Sequence, residues 1–319
     1  MSIGNVKEVM QHIKALEQRI TCLEEEVHSN IHQSNENELV KRTYTSESKK
    51  KIQSTQIHSY KLRQERKVEK QNLILDFLLR HTWTIPDIVR ILINVKSIQA
   101  ATKTLERMKK DGLIKDFEYK NGTSRLHRVW GITRQGQVYA SNINESAKVG
   151  KCFEPSKVSI QSIPHALDIQ YMYLTAINAG YSDWVNGSAL GYKKKLMRIP
   201  DAISVSNNNI RVAFEIERTV KSTKRYREIL LSHLIEITKN DSWDLVAYLC
   251  PDEKLVTRIT NIFRRIEHVN YQGKKIYITN QHLSYFKFFT YEEFRNMKRN
   301  VDEKKYCVRT DVGFELDTA

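Results

Sequence analysis

Three carboxylates and a lysine lie close together in the second half of the sequence. Asp201 follows Pro200, Glu215 and Glu217 are separated by one residue, and Lys221 comes four residues after Glu217. Three carboxylates brought together would repel one another strongly without a cation between them. Hard oxygen ligands of this kind suit Mg²⁺ or Mn²⁺, which polarise phosphate and activate water. The residue types therefore predict a divalent-metal site, with Lys221 as the cation for negative charge that develops during the reaction.

The surrounding pattern predicts that these residues meet. Asp201 begins a predicted strand, and Glu215 and Glu217 end the next one, at 210–217. Side chains alternate between the faces of a strand, so the two glutamates point to one face while Phe214 and Ile216 point into the core. Adjacent strands would bring Asp201 beside the pair. The alternative is a set of surface carboxylates in ordinary ion pairs.

Other polar residues flank this cluster. His165 begins a predicted helix and could contact phosphate, carry a proton, or cap the helix after Pro164. Arg225, one turn beyond the lysine, could hold a neighbouring phosphate. A further basic edge is predicted just before the first carboxylate, at Lys193, Lys194 and Lys195.

The elements around the cluster alternate between helix and strand. A helix at 165–178 precedes three strands, a long helix at 220–239 and a nearly all apolar strand at 243–249. A further helix at 252–268 and a strand at 275–279 follow. This order predicts a mixed α/β layer. The chain beyond 291 is polar, and we expect it to be peripheral.

A different pattern lies upstream. Three helices are predicted at 67–80, 85–93 and 97–110, followed by two short strands around Asn121-Gly122. Three helices and a β-hairpin make a winged helix, which typically reads DNA but also mediates protein contacts. The DNA-binding candidates on the third helix and the wing are Gln99, Lys103, Arg107, Lys110, Arg125 and Arg128.

The N-terminal segment is patterned for helix association. Residues 6–27 carry an unbroken heptad seam with Val or Ile at the a positions and Val or Leu at the d positions. This seam predicts a coiled-coil dimer, with one amphipathic helix packed on its own protein as the alternative. Residues 41–70 then hold ten Lys and Arg against three acids, which indicates a flexible basic linker.

Composition limits the partners. The 319 residues carry a net charge of +15, which attracts polyanions such as nucleic acid. No apolar run is long enough for a membrane span and the start is not a signal peptide, so a membrane partner is not expected. The four cysteines lie far apart without a CxxC pair, which predicts reduced thiols in a cytoplasmic protein.

These segments resemble a known family. The matching stretches are His165-Ala166-Leu167-Asp168, Pro200-Asp201-Ala202, and residues 215–222. Their order looks like the PD-(D/E)XK restriction-endonuclease-like core, and with the upstream winged helix it is similar to the replication-relaxation family and the MOBC class of mobilisation relaxases. Glu217 stands where that core usually has lysine, and Lys221 on the next helix would serve instead.

The resemblance implies a function and a domain layout. It implies strand-specific nicking of double-stranded plasmid DNA at a transfer origin, with relaxosome and coupling proteins as partners. Asp201, Glu215 and Glu217 would bind the metal and Lys221 would stabilise the transition state. The predicted fold is α+β and multidomain: a coiled-coil or dimerisation helix at 1–40, a basic linker at 41–65, a winged helix at 66–141, a connector at 142–162, a nuclease-like domain at 163–290 and a C-terminal tail at 291–319.

Two alternatives stay open at this stage. The protein could be a non-catalytic relaxosome accessory factor or plasmid replication regulator with a decayed nuclease fold, or an endonuclease that cuts both strands. The nucleophile could be water or a tyrosine. Tyr171, Tyr173 and Tyr226 all lie in apolar patterns, which favours core packing for each of them.

Overall fold

A computed structural model describes residues 59–120, 122, 126–143, 151–190 and 196–297. The chain divides into two units, residues 1–67 and 68–319. Several sequence predictions lie outside the described residues: the coiled-coil helix, most of the basic linker, most of the C-terminal tail, Arg125, Lys193, Lys194 and Lys195. None of the helices in the described part combines the length and apolar character that crossing a membrane demands.

The first half of the described chain consists of helices packed on a small sheet. Its elements are α1 (Tyr60–His81), β1 (Trp83–Thr84), α2 (Pro86–Leu92), α3 (Ile98–Lys110), β2 (Ile114–Lys120), β3 (Leu126–Ile132) and α4 (Arg134–Ile143). The three strands form an antiparallel sheet in the order β1-β3-β2. Helix α1 begins at Tyr60, whereas the sequence predicted 67, because its first turns are rich in Lys, Arg, Gln and Glu, which favour helix.

Local sequence explains helix α3. The Ser97 side chain accepts a hydrogen bond from the backbone N–H of Ala100 at 3.2 Å and caps the first turn. Ala101, Leu105 and Met108 form one buried face, at the spacing that predicted this helix. The opposite face is left to polar side chains.

The segment predicted as a connector packs on this first half. Phe153 is fully buried, and its backbone N–H donates to the Ile132 carbonyl at 2.9 Å. A Cβ atom at Gly131 would lie 2.0 Å from a ring carbon of Phe153, so only glycine allows this approach. The chain after α4 therefore covers strand β3 rather than passing through solvent.

The second half is a mixed α/β layer, as the sequence predicted. Its elements are α5 (Ile163–Asn178), β4 (Ser182–Asn186), the single turn α6 (Gly187–Leu190), β5 (Ala202–Val205), β6 (Arg211–Ile216), α7 (Thr223–Thr238), β7 (Leu245–Cys250), α8 (Glu253–Arg264), β8 (His268–Tyr271), β9 (Lys274–Tyr277), α9 (Asn280–Ser284), β10 (Phe286–Thr290) and α10 (Tyr291–Asn296). Strands β4, β5 and β6 form an antiparallel meander, and β7 and β10 continue the sheet in parallel, in the order β10-β7-β6-β5-β4. The predicted order of one helix, three strands, one helix and one strand is confirmed.

Two expectations for the C-terminal part are corrected. The strand predicted at 275–279 is β9, which pairs with β8 in a separate hairpin. The fifth strand of the main sheet is β10, which the sequence reading missed because short helices flank it on both sides. The chain from 291 is not wholly peripheral, since Phe294 is 1% exposed and its ring centroid lies 5.7 Å from that of Phe214.

The main sheet has a different core on each face. Phe214 and Ile216 of β6 pack with Trp184 and with Met172 of α5. Ala213, one residue away, packs on the other face against α7 and α8, where Leu230 belongs to the same cluster. The alternation along β6 therefore sends the even-numbered side chains to α5 and the odd-numbered ones, including Glu215, to α7.

A buried polar contact joins the two halves. The Thr84 hydroxyl donates to the Gln170 side-chain oxygen at 2.8 Å, and the Gln170 amide donates to the Trp83 carbonyl at 2.8 Å. Phe77 of α1 and Leu174 of α5 belong to one apolar cluster, which also joins the two halves. Strand β1 is thereby fixed to helix α5, the helix that carries His165.

Candidate active site

Asp201 is held at the start of β5 by backbone contacts. Its N–H donates to the Phe214 carbonyl at 3.0 Å, and its Oδ2 accepts from the Ile216 N–H at 2.7 Å. The Gly187 N–H donates to the Asp201 carbonyl at 2.8 Å. A Cβ atom on Gly187 would lie 2.1 Å from the Pro200 carbonyl oxygen, so this close approach requires glycine.

His165 contacts the same carboxylate from helix α5. Its Nε2 lies 3.3 Å from Asp201 Oδ2 and 3.0 Å from the Ile216 carbonyl oxygen. Both partners accept, so Nε2 carries the hydrogen. The hydrogen bond to Asp201 raises the pKa of His165 and outweighs the effect of burial. The helix begins at Ile163 without a side-chain cap, so the imidazole of His165 contacts the sheet and not the helix end.

Glu215 is buried and fully engaged. Its Oε1 and Oε2 accept from Arg198 Nε at 2.6 Å and from Arg198 Nη2 at 2.7 Å, and His233 Nε2 lies 2.9 Å from Oε1. Burial by itself would raise the pKa of Glu215, but the hydrogen bonds from His233 and Arg198 and their charges lower it to about 2. Glu215 is thus an ionised carboxylate whose two oxygens both accept hydrogen bonds from the Arg198 guanidinium.

Glu217 and Lys221 form the contact that their spacing predicted. The Glu217 side chain is only 3% exposed, and Lys221 Nζ contacts its Oε1. The Glu217 N–H donates to the Leu249 carbonyl at 3.0 Å, which fixes the backbone beside β7. Burial lowers the pKa of Lys221, and the nearby charge of Glu215 opposes this shift. Asp201 also acts electrostatically on Lys221, so all three carboxylates lie within its electrostatic reach.

The three carboxylates differ in their fit to a divalent metal. Both contacts of Asp201 use Oδ2, and its side chain is 23% exposed. The Lys221 contact of Glu217 uses Oε1. Asp201 and Glu217 thus have the chemistry of Mg²⁺ ligands, whereas Glu215 would first have to release Arg198. In this arrangement, no three His, Cys, Asp or Glu side chains of the described residues stand together as a metal-binding group.

Two residues of this cluster were missed by sequence reasoning. Arg198 precedes Asp201 by three residues in an irregular segment, where no periodicity predicts its direction. His233 lies on the apolar side of α7 and is fully buried there. A histidine on an apolar stripe needs a polar partner, and Glu215 on the facing strand supplies it.

The predicted DNA-binding residues have unequal surroundings. Gln99, Lys103 and Lys110 are exposed on α3, and Arg107 is half-buried. Arg128 forms ion pairs with three acids, Glu106, Asp116 and Glu118, so its charge is balanced within the protein. Arg225 is paired with Glu228 at 2.8 Å.

The three tyrosines considered as nucleophiles have packing or structural contacts. Tyr226 is fully buried, and its hydroxyl accepts from the Lys221 N–H at 3.3 Å. The Tyr171 hydroxyl donates to Asp87 Oδ2 at 2.7 Å, and burial raises its pKa. Tyr173 packs edge-on against Trp184. These contacts fit the expectation of core packing.

Comparison of the chain with protein-family models, with curated proteins and with solved structures gives no match. The cluster and the fold are therefore the observations on which a function rests.

Proposed function

We propose that this protein binds duplex DNA and cleaves a phosphodiester bond in one strand, with a divalent metal held at the Asp201–Glu217 end of the cluster. The observation that carries the proposal is the contact of Glu217 with Lys221 beside Asp201, at the ends of two adjacent strands. The antiparallel meander followed by the parallel strand β7 also supports the proposal, because this strand order is the one expected of the restriction-endonuclease-like core that the sequence resembles.

Each residue receives a role from its contacts. Asp201 and Glu217 would hold Mg²⁺ or Mn²⁺, which supplies phosphate polarisation and an activated water when bound. Lys221 would stabilise charge that develops on the phosphate. His165 holds the Asp201 carboxylate through its Nε2–H. Glu215 anchors Arg198, and this role differs from the metal ligation that the resemblance implied.

The first half of the chain would position the DNA. Three helices with a three-stranded antiparallel sheet, whose first strand β1 lies between α1 and α2, are typical of a winged helix, whose third helix enters the major groove. Lys103 and Lys110 on the exposed face of α3 suit phosphate contacts. Arg128 is a weaker candidate because three acids already balance its charge. The net charge of +15 favours the same partner.

The resemblance to mobilisation relaxases suggests that this cleavage is the nicking step of plasmid mobilisation. On this reading the substrate is a supercoiled plasmid with a transfer origin, in the cytoplasm, and relaxosome and coupling proteins are the further partners. The heptad seam at residues 6–27 would supply a homodimer.

A second candidate function is DNA binding without cleavage. The specific observation that favours it is the bidentate Arg198 contact, which occupies both oxygens of Glu215. Glu217 in the usual lysine position favours it as well. The protein would then be a relaxosome accessory factor or a plasmid replication regulator.

One assay separates these functions. The full chain is incubated with supercoiled plasmid carrying the candidate origin, with Mg²⁺, with Mn²⁺ or with chelator. Asp201→Asn and Glu217→Gln keep side-chain shape but remove the charge that a metal requires, so we expect metal-dependent open circles with the unaltered protein and their loss in both variants. Glu292→Gln, at an exposed carboxylate of α10, is the matched control and should nick normally.

The other outcomes have fixed meanings. Linear product would identify an endonuclease that cuts both strands. Binding without cleavage under every metal would overturn the enzymatic proposal and leave the DNA-binding protein.

A further inference from the structure

The C-terminal hairpin carries an exposed basic surface that the candidate active site does not use. We define this basic hairpin as strands β8 and β9 with the end of α8 before them. Its charged and aromatic residues are Arg264, Arg265, Glu267, His268, Tyr271, Lys274, Lys275 and Tyr277. The two strands pair only with each other among the described sheets. The basic hairpin therefore carries four full positive charges and one acid, Glu267.

The register of the hairpin separates a packed face from a solvent face. Val269 pairs with Ile276, and both pack on the main core. His268 pairs with Tyr277 and Asn270 pairs with Lys275 on the opposite face. That outer face thus carries an aromatic ring, an imidazole, an amide and an ammonium group, with no aliphatic side chain.

Within the described part of the chain, the cations of the basic hairpin have no acidic partners. Across the residues that the structure describes, no carboxylate forms an ion pair with Arg264, Arg265, Lys274 or Lys275. Arg128 on the other half of the protein is the contrast, because it is paired with acids on its own sheet and helix. Unpaired cations on one element attract an external polyanion.

Aromatic exposure points to one kind of polyanion. Tyr277 is 64% exposed, and the Lys275 ammonium lies 5.1 Å from its ring centroid. The Lys239 ammonium lies 4.6 Å from the Tyr271 ring centroid. Exposed rings among cations stack with unpaired bases while the cations follow the phosphates. Stacked base pairs in a duplex do not offer their ring faces in this way.

Helix α7 connects this surface to the cluster. Lys221 lies just before its first turn, and Lys239 is the residue that ends it. The 16 residues of α7 span ~24 Å at the usual helical rise. That distance equals about seven nucleotides at the stacked rise of ~3.4 Å, and sites for single strands commonly cover about 4–16 nucleotides.

We propose that the basic hairpin binds single-stranded DNA, by stacking a base on Tyr277 and by pairing phosphates with Lys275 on the same face and with the exposed cations at the start of β9 and the end of α8, Lys274, Arg264 and Arg265. The binding itself needs no cleavage. The role of this binding would be to hold the DNA strand that separates from the duplex beside the nicking site, and this role rests on the proposed function.

The test is fluorescence anisotropy with the full chain in chelator, using a labelled 12-nucleotide oligothymidylate and a duplex of the same length. Tyr277→Ala should weaken single-strand binding about fivefold or more, and Tyr277→Phe should retain it because the ring is kept. The double variant Lys274→Ala, Lys275→Ala should make affinity less sensitive to salt. The negative slope of log binding constant against log salt concentration should become shallower by about 1.4, since each phosphate contact on a single strand contributes about 0.7. Tyr60→Ala, at a tyrosine that is 71% exposed and is followed in the sequence by Lys61 and Arg63, is the matched control and should change little.

Several results would overturn the proposal. These are unchanged single-strand affinity in Tyr277→Ala, the same loss for duplex as for single strand, or an equal loss in Tyr60→Ala. If the same variants abolish binding to phosphatidylserine vesicles and leave DNA binding unchanged, the surface binds an anionic membrane instead. Because Tyr277 is exposed, its replacement should leave the circular dichroism melting curve unchanged.

The plasmid assay keeps the two proposals apart. Asp201→Asn should abolish nicking and leave oligothymidylate binding intact. If no nicking occurs at all but Tyr277→Ala still loses single-strand affinity, the basic hairpin stands as a binding site and the cleavage proposal falls.

Discussion

The pair of Arg198 and Glu215 gives the sharpest prediction for stability. The Glu215 side chain is 4% exposed and that of Arg198 is 15% exposed, and two hydrogen bonds of 2.6 and 2.7 Å join them. Arg198→Met keeps an apolar stem and removes every donor, which leaves a buried carboxylate with only His233. Loss of one partner of a buried ion pair costs about 3–5 kcal/mol of unfolding free energy. The exposed pair of Arg225 and Glu228 supplies the control, because Arg225→Met should cost less than about 1 kcal/mol.

The same pair predicts a dependence on pH. The pKa of Glu215 is lowered from 4.5 to about 2 in the folded protein, a difference that corresponds to about 3 kcal/mol. A carboxyl with a lowered folded pKa stabilises the fold above its unfolded pKa, and the contribution is lost as the pH falls from 4.5 towards 2. Without Arg198, burial moves the pKa of Glu215 upwards. The stability difference between the unaltered protein and Arg198→Met should therefore be largest at pH 7 and shrink at pH 4.

Urea unfolding followed by circular dichroism and tryptophan fluorescence measures both effects. Trp243 lies 5.4 Å from His233 between ring centroids, so fluorescence reports on this part of the fold. A loss in Arg198→Met no greater than in Arg225→Met at pH 7 would refute the reasoning. A loss that is equal at pH 7 and pH 4 would show that Arg198 does not keep Glu215 ionised.

Three further substitutions test how the fold positions the site. Gly187→Ala should cost about 1–3 kcal/mol and reduce nicking, because the new Cβ would lie 2.1 Å from the Pro200 carbonyl oxygen; an unchanged thermal midpoint would contradict this. Asp252→Ala should cost about 1 kcal/mol in urea unfolding, since Asp252 caps α8, and Asp252→Asn should restore most of it. Gln170→Leu should cost about 2 kcal/mol or more by leaving the buried Thr84 hydroxyl without its acceptor, and a smaller cost when Thr84→Val is added would identify that hydrogen bond as the cause.

Local pattern was sufficient for much of the fold around the site. The helical spacing of Ala101, Leu105 and Met108 predicted α3, and the alternation along β6 predicted that Phe214 and Ile216 enter the core. These predictions succeed because periodicity within one element determines which side chains share a face. Strand β10 escaped the same reasoning, since a five-residue strand between short helices has too little periodicity to be recognised.

The sequence by itself determined which carboxylates lie at the ends of neighbouring strands and that Lys221 comes four residues after Glu217. Only the tertiary structure decided what each carboxylate contacts. Arg198 reaches Glu215 from an irregular segment, and His233 reaches it from a helix 18 residues further along the chain. The partners of a buried charge depend on which elements pack together. This packing is a property of the whole fold and not of any one segment.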